Sequence, residues 1–495
     1  MKNTIKIIFT LFVLVFSACS DFLDEQLQGT YSNPTFYKTE AHAYLAIAAV
    51  YNAASFVSTE NRLWVFGDVA SDDAIKGGLP GDLSDVQFID EFTYSNTNGV
   101  LDKIWKRYYE GISRANYLLY YSPNITMDVD LKNRILGEAK FLRAYFYFNL
   151  VNIFGEVPLK LNPPINPEEI NKPKSPAATV YAQIEKDLQE AIDVLETEYT
   201  ASDVGRATKG AAWGLLAKTF LYQQKWDNVL TAIAAVDALG LYSLEKVYKN
   251  NFIDSTQNNS ESLFELQHLS NQLPKLGSHL AQYFSPPKDN GYYFNVPLQN
   301  FVNEFEQTGT NVPDPRLDYT VGRAGQKWVN GEEFDPSWSP TGYLQKKHTQ
   351  PTREEPIIGD VSLNYVYLRY ADILLMKAEA LNELSRSSEA LVPLNAVRKR
   401  ARESYLFDEA LPGFGLVPVG LLPDVLSTDQ QTVREAIRHE RRVELGFEFH
   451  RYFDLMRYGQ SVAEAALTGT GFTYAQFRYF PIPQSELDTN PLINN

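Results

Sequence analysis

Apolar stripes at helical spacing constrain this chain more than any other feature. Val180, Ile184, Leu188, Ile192 and Leu195 recur every three to four residues, the period that gathers side chains on one face of an α-helix. A stripe of this kind is buried only against another apolar face, so the chain must pack helix on helix. The same period predicts a helix from Glu40 to Phe56, carrying Ala43, Ile47, Val50 and Ala54. Two more are expected at about 100–122 and 131–154. In the second, Phe141, Tyr145 and Phe148 line one face, and Gly155 and Pro158 stop it. Ser175-Pro176 opens the next helix.

Two later segments read as helix pairs that share a detail. In Gly210–Leu239, Ala217 and Val229 stand twelve residues apart across a break near Gln224-Lys225-Trp226. In Tyr370–Arg402, Ala378 and Ala390 have the same separation across a break near Ser385-Arg386-Ser387. This spacing of small residues is similar to tetratricopeptide helix–turn–helix units, whose antiparallel helices approach closely. Between 255 and 365 the periodicity fails. Gly, Pro, Asn and isolated aromatics dominate there, with short strand-like pieces such as Ser262–Gln267. Residues 61–98 are loop-rich as well. Long irregular stretches in a compact domain are usually functional, so both are candidate binding surfaces.

The N-terminus sets the compartment. Lys2 and Lys6 precede an apolar run, Ile7 to Ala18, which is shorter than the roughly 20 residues a bilayer span needs. Its layout is that of a cleaved secretory signal. Phe16-Ser17-Ala18 leads into Cys19, the only cysteine, so no internal disulfide can form. Its position is that of a lipobox cysteine, although Phe16 stands where Leu or Val is usual. The expectation is therefore a lipoprotein signal peptide over 1–18 and a lipidated Cys19, with a mature length that allows one large globular unit or two smaller ones. Ser20-Asp21-Phe22-Leu23-Asp24-Glu25 resembles signals that send lipoproteins to the cell surface. The net charge is −16, and cleavage makes it more negative. Such a surface repels nucleic acid. With 30 Tyr and 29 Phe, the chain has rings for a core and for exposed stacking surfaces.

Catalytic signatures are missing. His42, His268, His279, His348, His439 and His450 include no pair at metal-ligand spacing, and His439-Glu440 is followed by Val443 where a zinc-protease motif needs a second His. There is no phosphate-binding Gly loop and no Gly-x-Ser-x-Gly. No cofactor or metal is expected. A glycosidase would need two carboxyl groups about 5–10 Å apart across a cleft; the abundant acids leave that open, though most should form a solvated face. The charged run Arg434–Glu444 reads as a structural network of Arg–carboxylate forks rather than an anion site. Lys346-Lys347-His348 is either a local basic patch or a solvated loop.

Several blocks, taken in order, resemble one family nearly end to end. They are Cys19 with Phe22-Leu23-Asp24, Glu138-Ala139-Lys140-Phe141-Leu142-Arg143-Ala144, Phe154-Gly155-Glu156-Val157-Pro158, and Glu261-Ser262-Leu263-Phe264-Glu265. Asp314-Pro315-Arg316, Arg369-Tyr370-Ala371-Asp372, Asn395-Ala396-Val397-Arg398, Glu440-Arg441-Arg442-Val443-Glu444, His450 to Arg457, and Pro481-Ile482-Pro483 follow. The sequence resembles the SusD/RagB family of outer-membrane nutrient-binding lipoproteins. The resemblance implies a mainly α, SusD-like fold in a single domain over 19–495, with about four tetratricopeptide-like helix pairs supporting a loop-rich ligand-binding face. It also implies a non-catalytic protein, lipid-anchored in the outer membrane and facing outward. Such a protein captures oligosaccharides or peptides and delivers them to a SusC-like TonB-dependent transporter.

These blocks are scaffold and do not locate the ligand. The candidate contacts come from physics alone: Trp64, Asp72 and Asp73 in the first loop-rich region, and Tyr283, Tyr292, Tyr293, Trp328 and Trp338 in the second. Sugar rings stack apolar C–H faces on Trp or Tyr, while carboxylates accept from hydroxyls. The competing expectation is that these aromatics pack loops onto helices. A surface glycan hydrolase and a protein-binding tetratricopeptide scaffold are the alternative functions.

Overall fold

The structure, a computed structural model, describes residues 36–349 and 359–494. The expected signal peptide, Cys19 and the acidic stretch after it lie outside the described residues. Four helix pairs form the scaffold: α1 (Glu40–Ala54) with α2 (Gly99–Tyr121), and α3 (Val129–Phe154) with α4 (Ala177–Ile192). They continue with α5 (Lys209–Tyr222) and α6 (Trp226–Ala238), then α7 (Tyr370–Glu383) and α8 (Ser387–Glu403). Each pair packs on the next through α2 and α3, α4 and α5, and α6 and α7. The fold is mainly α, a stacked helical repeat. Beyond it, α9 (Gln430–Leu445) lies against α7 and α8, and α10 (Arg451–Tyr458) follows.

Local chemistry explains where the helices start and stop. Asn98, Asp128, Thr208 and Asp429 cap α2, α3, α5 and α9 by accepting backbone N–H bonds in the first turn. Gly155, at φ +74°, ends α3. The two twelve-residue spacings correspond to identical three-residue turns, 223–225 and 384–386. The middle residues, Gln224 and Ser385, both take left-handed φ, +57° and +59°. Ala217, Val229, Ala378 and Ala390 are all buried where the paired helices meet.

Helix α3 does not bury a single stripe, because every residue from Phe141 to Val151 is buried. The helix is surrounded: α1, α2 and α4 pack around it, and rings from a sheet complete the shell. Phe141 meets Phe264 at 4.8 Å and Tyr145 meets Tyr367 at 4.7 Å. A helix buried on every side over such a stretch is the mark of a central element.

That sheet closes the irregular excursion at its base. Strands β2 (Ser262–Leu266) and β6 (Tyr365–Arg369) pair antiparallel, Ser262 opposite Arg369. Within the excursion, β1 (Ala74–Gly77) pairs with β3 (Phe294–Pro297), and β4 (Val321–Gly322) with β5 (Leu344–Gln345). A small core of Val296, Trp328, Phe334 and Leu344 sits under the loops, apart from the main core.

The charged run of α9 forms the structural network expected of it. The Glu444 carboxylate accepts from Arg369 at 2.6 Å, from Arg316 at 2.9 Å and from Arg400. Arg369 also forks onto Glu448 at 2.8 Å and reaches Glu261 at 2.7 Å. Arg398 bonds Glu440 at 2.9 Å and Glu306 at 2.7 Å. Lys346-Lys347-His348 is neither a surface patch nor a solvated loop. Lys347 is buried on Glu448 at 2.7 Å, and His348 is buried with its Nε2 on the Phe447 carbonyl at 2.8 Å. An ammonium so near this acid-rich network is drawn inside by charge balance.

Removing one member of such a network leaves an uncompensated buried charge, so Glu444→Gln should lower stability by about 3–5 kcal/mol in denaturant titration. The network also sets an acid limit. Burial alone would raise the Glu448 carboxyl, but Arg369 and Lys347 hold it at about 2. Glu306 is likewise held at about 2 against burial, by His439 and Arg398. In the unfolded chain both return to the ordinary 4.5. Between these values the unfolded state binds more protons, so stability is full above about pH 4.5 and falls towards pH 2. Thermal melts across that window should show Tm falling steadily with acidification; a flat profile would contradict the assignment.

Candidate functional site

Strands β1 and β3 bring the two loop-rich stretches to one place, with Ala74 opposite Pro297 and Gly77 opposite Phe294. Gly78 N–H donates to the Tyr293 carbonyl at 3.1 Å. Gly77 and Gly78 both have φ +69°. A Cβ on Gly77 would meet the Tyr293 carbonyl oxygen at 2.2 Å, and one on Gly78 would strike the Phe294 ring at 2.2 Å. Only glycine permits this contact between the loops. Lys76 is buried beneath it, donating to the carbonyls of Asp82 at 2.8 Å and Leu79 at 3.4 Å. Its own N–H donates to Asp90 at 2.9 Å, a carboxyl that burial pushes up to about 7.

An aromatic ridge stands on this platform. Tyr292 is 43 % exposed, and Tyr293 and Trp338 are half-buried. With Ile75 and Val329, the last two cap the small core under the loops. Tyr293 has φ +40°, a left-handed backbone that is costly for a bulky residue and recurs at functional sites. The Lys288 ammonium lies 4.9 Å over the Trp338 ring. It pairs with Asp289 at 3.0 Å and with Glu332. The ridge thus combines ring faces with charged donors and acceptors. Such a surface can stack a flat apolar face and bond the hydroxyls around it.

The other sequence candidates have structural roles. Trp64 is fully buried, packed on Phe284 at 5.5 Å and Tyr283 at 5.9 Å. Tyr283 is buried too, with the Arg62 guanidinium 4.7 Å over its ring. Asp72 accepts a fork from Arg451 at 2.7 and 2.9 Å, and Asp73 accepts from Arg442 at 2.7 Å. Burial would raise both acids, and the two arginines keep Asp72 below its ordinary value. These carboxylates hold β1 to α9 and α10 and are not available to a ligand. Trp328 is 3 % exposed, wedged against Phe334 at 5.8 Å and Trp338 at 6.2 Å. It belongs to the small core because a loop face this far from the helices needs a core of its own.

The structure therefore keeps Tyr292, Tyr293 and Trp338 at least partly exposed, Tyr293 and Trp338 over the small core and Tyr292 against Phe294 at 6.0 Å and Tyr283 at 6.4 Å, and buries the others. Sequence reading passed over Lys288 and Glu332. A signal existed, since the turn Pro286-Pro287-Lys288-Asp289-Asn290-Gly291 directly precedes the two tyrosines. Among the described residues, no group of three His, Cys, Asp or Glu side chains is placed to hold a metal ion.

Comparison with known proteins agrees with this architecture. The profile described as the SusD family matches residues 249–495, and one described as starch-binding, associating with outer membrane, matches residues 21–221. SusD-like protein P38 of Formosa agariphila is 26 % identical, the match covering 93 % of each chain. A SusD-like protein of Bacteroides ovatus is 27 % identical over 92 % of this chain and 82 % of its own. Among solved structures, a laminarin-binding SusD-like protein is 30 % identical with a TM-score of 0.75, covering 92 % of this chain and 99 % of the other. A SusD-like carbohydrate-binding protein from Bacteroides fragilis is 26 % identical with a TM-score of 0.78, covering 93 % and 100 %.

The division between ridge and core has a direct test. Trp328→Ala should cost about 3–5 kcal/mol, as for other large rings removed from a core. Tyr292→Ala, at an exposed position, should stay within about 0.5 kcal/mol of the parent. Chemical denaturation of both variants checks this, and equal effects would place both rings in one environment.

Proposed function

The chain belongs to the SusD family, and on that premise we propose that it captures oligosaccharides at the cell surface through the Tyr292–Tyr293–Trp338 ridge. The observation that carries this reading is the ridge itself: aromatic rings kept at the surface on a strained, glycine-dependent platform. A folding chain gains nothing from leaving such rings in water, whereas a sugar ring stacks on them. The laminarin-binding and carbohydrate-binding relatives support a glycan as ligand. Its role is binding without turnover, a reading supported by the use of the Asp72 and Asp73 carboxylates as structural partners of arginine.

Delivery to a SusC-like TonB-dependent transporter completes the role. It is supported by a Gly- and Pro-rich segment after α8, where Leu416 is 74 % and Val419 96 % exposed. Phe407 and Phe414 are exposed in the same segment. A contiguous apolar stretch in water is the expected mark of a protein interface. Lipidation of Cys19 would hold the protein on the outer membrane, a compartment consistent with the profile matched by residues 21–221.

Calorimetric titration of residues 20–495 against neutral oligosaccharides, with chromatography of the products, tests the reading. One glycan class should bind and be recovered intact. Replacing Tyr292 and Trp338 together by alanine should weaken binding at least about tenfold, a loss of about 1.4 kcal/mol that two stacking contacts can supply. Unchanged affinity would remove the ridge from the site, and released product would make the protein an enzyme. Separately, Cys19→Ala should give a folded protein that no longer sediments with membranes.

A further inference from the structure

Behind the ridge lies a cavity of about 640 Å³ that the proposed glycan contact does not use. This volume falls within the roughly 300–1,000 Å³ of small-molecule sites. Phe252, Val329, Leu363 and Leu411 give it apolar walls, and Trp328 separates it from Trp338 by a single ring contact of 6.2 Å. Lys346 also lines it.

Several of the charged side chains around this cavity, which Asp254 also lines, form ion pairs. Lys249 bonds Asp408 at 2.8 Å, Lys327 bonds Glu333, and Arg323 bonds Asp318. Lys346 instead donates to two neutral acceptors, the carbonyls of Asp318 at 2.8 Å and Lys327 at 2.9 Å. Among the described residues no carboxylate lies within ion-pair distance of it. An ammonium has three N–H donors, so these bonds leave one donor unused, with the Asp318 carboxylate acting on the charge only from beyond ion-pair distance.

We propose that this cavity is a subsite for one carboxylate-bearing sugar unit, a hexuronate, whose carboxylate bonds the Lys346 ammonium while its ring lies against the apolar wall. The ligand class rests on the glycan-binding reading above. A single free donor suits one carboxylate rather than a sulfate or phosphate cluster, and the chain's net charge of −16 repels polyanions. Trp328 lines the cavity and lies 6.2 Å from Trp338, so the subsite and the ridge share one neighbouring ring. Burial, with Arg323 and Lys249 nearby and Asp318 opposing them, brings the Lys346 pKa down to about 8. The amine is still mainly protonated at neutral pH.

Two measurements on residues 20–495 test this. In the first, uronate-containing oligosaccharides are titrated as isolated and after reduction of their carboxyl groups to alcohols, which changes the charge and little else. The native form should bind about tenfold more tightly, as expected for one charge-assisted hydrogen bond. Lys346→Gln, which keeps an N–H₂ group for the two carbonyls, should erase the preference. In the second, reductive methylation of lysines is followed by mass spectrometry with sodium glucuronate or glucose present. Glucuronate should slow modification of Lys346, and glucose should not. Equal affinities for native and reduced sugars overturn the subsite while leaving glycan capture standing. If no glycan binds at all, the glycan reading fails, and equal labelling with both sugars then overturns the cavity as well.

Discussion

Glu444 joins the helical scaffold to the loop-rich face. Its carboxylate accepts from Arg316 in the irregular region, from Arg369 at the end of β6 and from Arg400 on α8. Three charged forks meeting in the interior are tolerated only because Glu261, Asp314, Glu440 and Glu448 balance them. Burial would push the Glu444 carboxyl up, and the arginines hold it well below its ordinary value. The arrangement is directional as well as strong, since a guanidinium fork donates to carboxylates in few orientations. It therefore fixes how the long excursion between β2 and β6 leaves and re-enters the scaffold.

A second, smaller cluster carries that order outwards. Arg442 and Arg451, one from α9 and one from α10, clamp Asp72 and Asp73 just before β1. Asp68 accepts from Asn295 at 2.9 Å and from the Phe449 N–H at 3.1 Å, linking the same region to β3. Strands β1 and β3 hold the ridge, so its geometry is inherited from buried ion pairs beneath it. A further triad, Arg441 with Asp372 and Asp454, ties α9 to α7 and α10.

The aromatic residues divide by depth. Around α3 and the β2–β6 sheet they fill a core in which Tyr hydroxyls reach backbone carbonyls, as Tyr147 does with Lys160 at 2.8 Å and Tyr248 with Glu444 at 2.6 Å. Under the loops, Trp328 and Phe334 form a secondary core large enough to keep Tyr293 and Trp338 in place. Above it, only the outermost rings reach the surface. A rigid helical stack thus supports a face whose chemistry is set by a few loop side chains, the usual division between scaffold and site.

Sequence periodicity determined the paired scaffold helices to within a few residues, because burial of a stripe is a local property that spacing reports directly, while shorter helices such as α10 are too brief to carry so long a stripe. The twelve-residue repeat of small residues located both tight turns for the same reason. The charged run of α9 was legible as structural, since arginine and glutamate at that density on one helix require partners. Tertiary structure alone decided which aromatics are exposed and which acids are free. Trp64 and Trp338 look alike in sequence, yet one is sealed in the core and the other caps a loop. Asp72 and Asp73 looked like ligand acceptors because Arg442 and Arg451, which neutralise them, lie some 370 positions away. Exposure and charge pairing are set by contacts between distant segments, and one-dimensional spacing carries no record of those contacts.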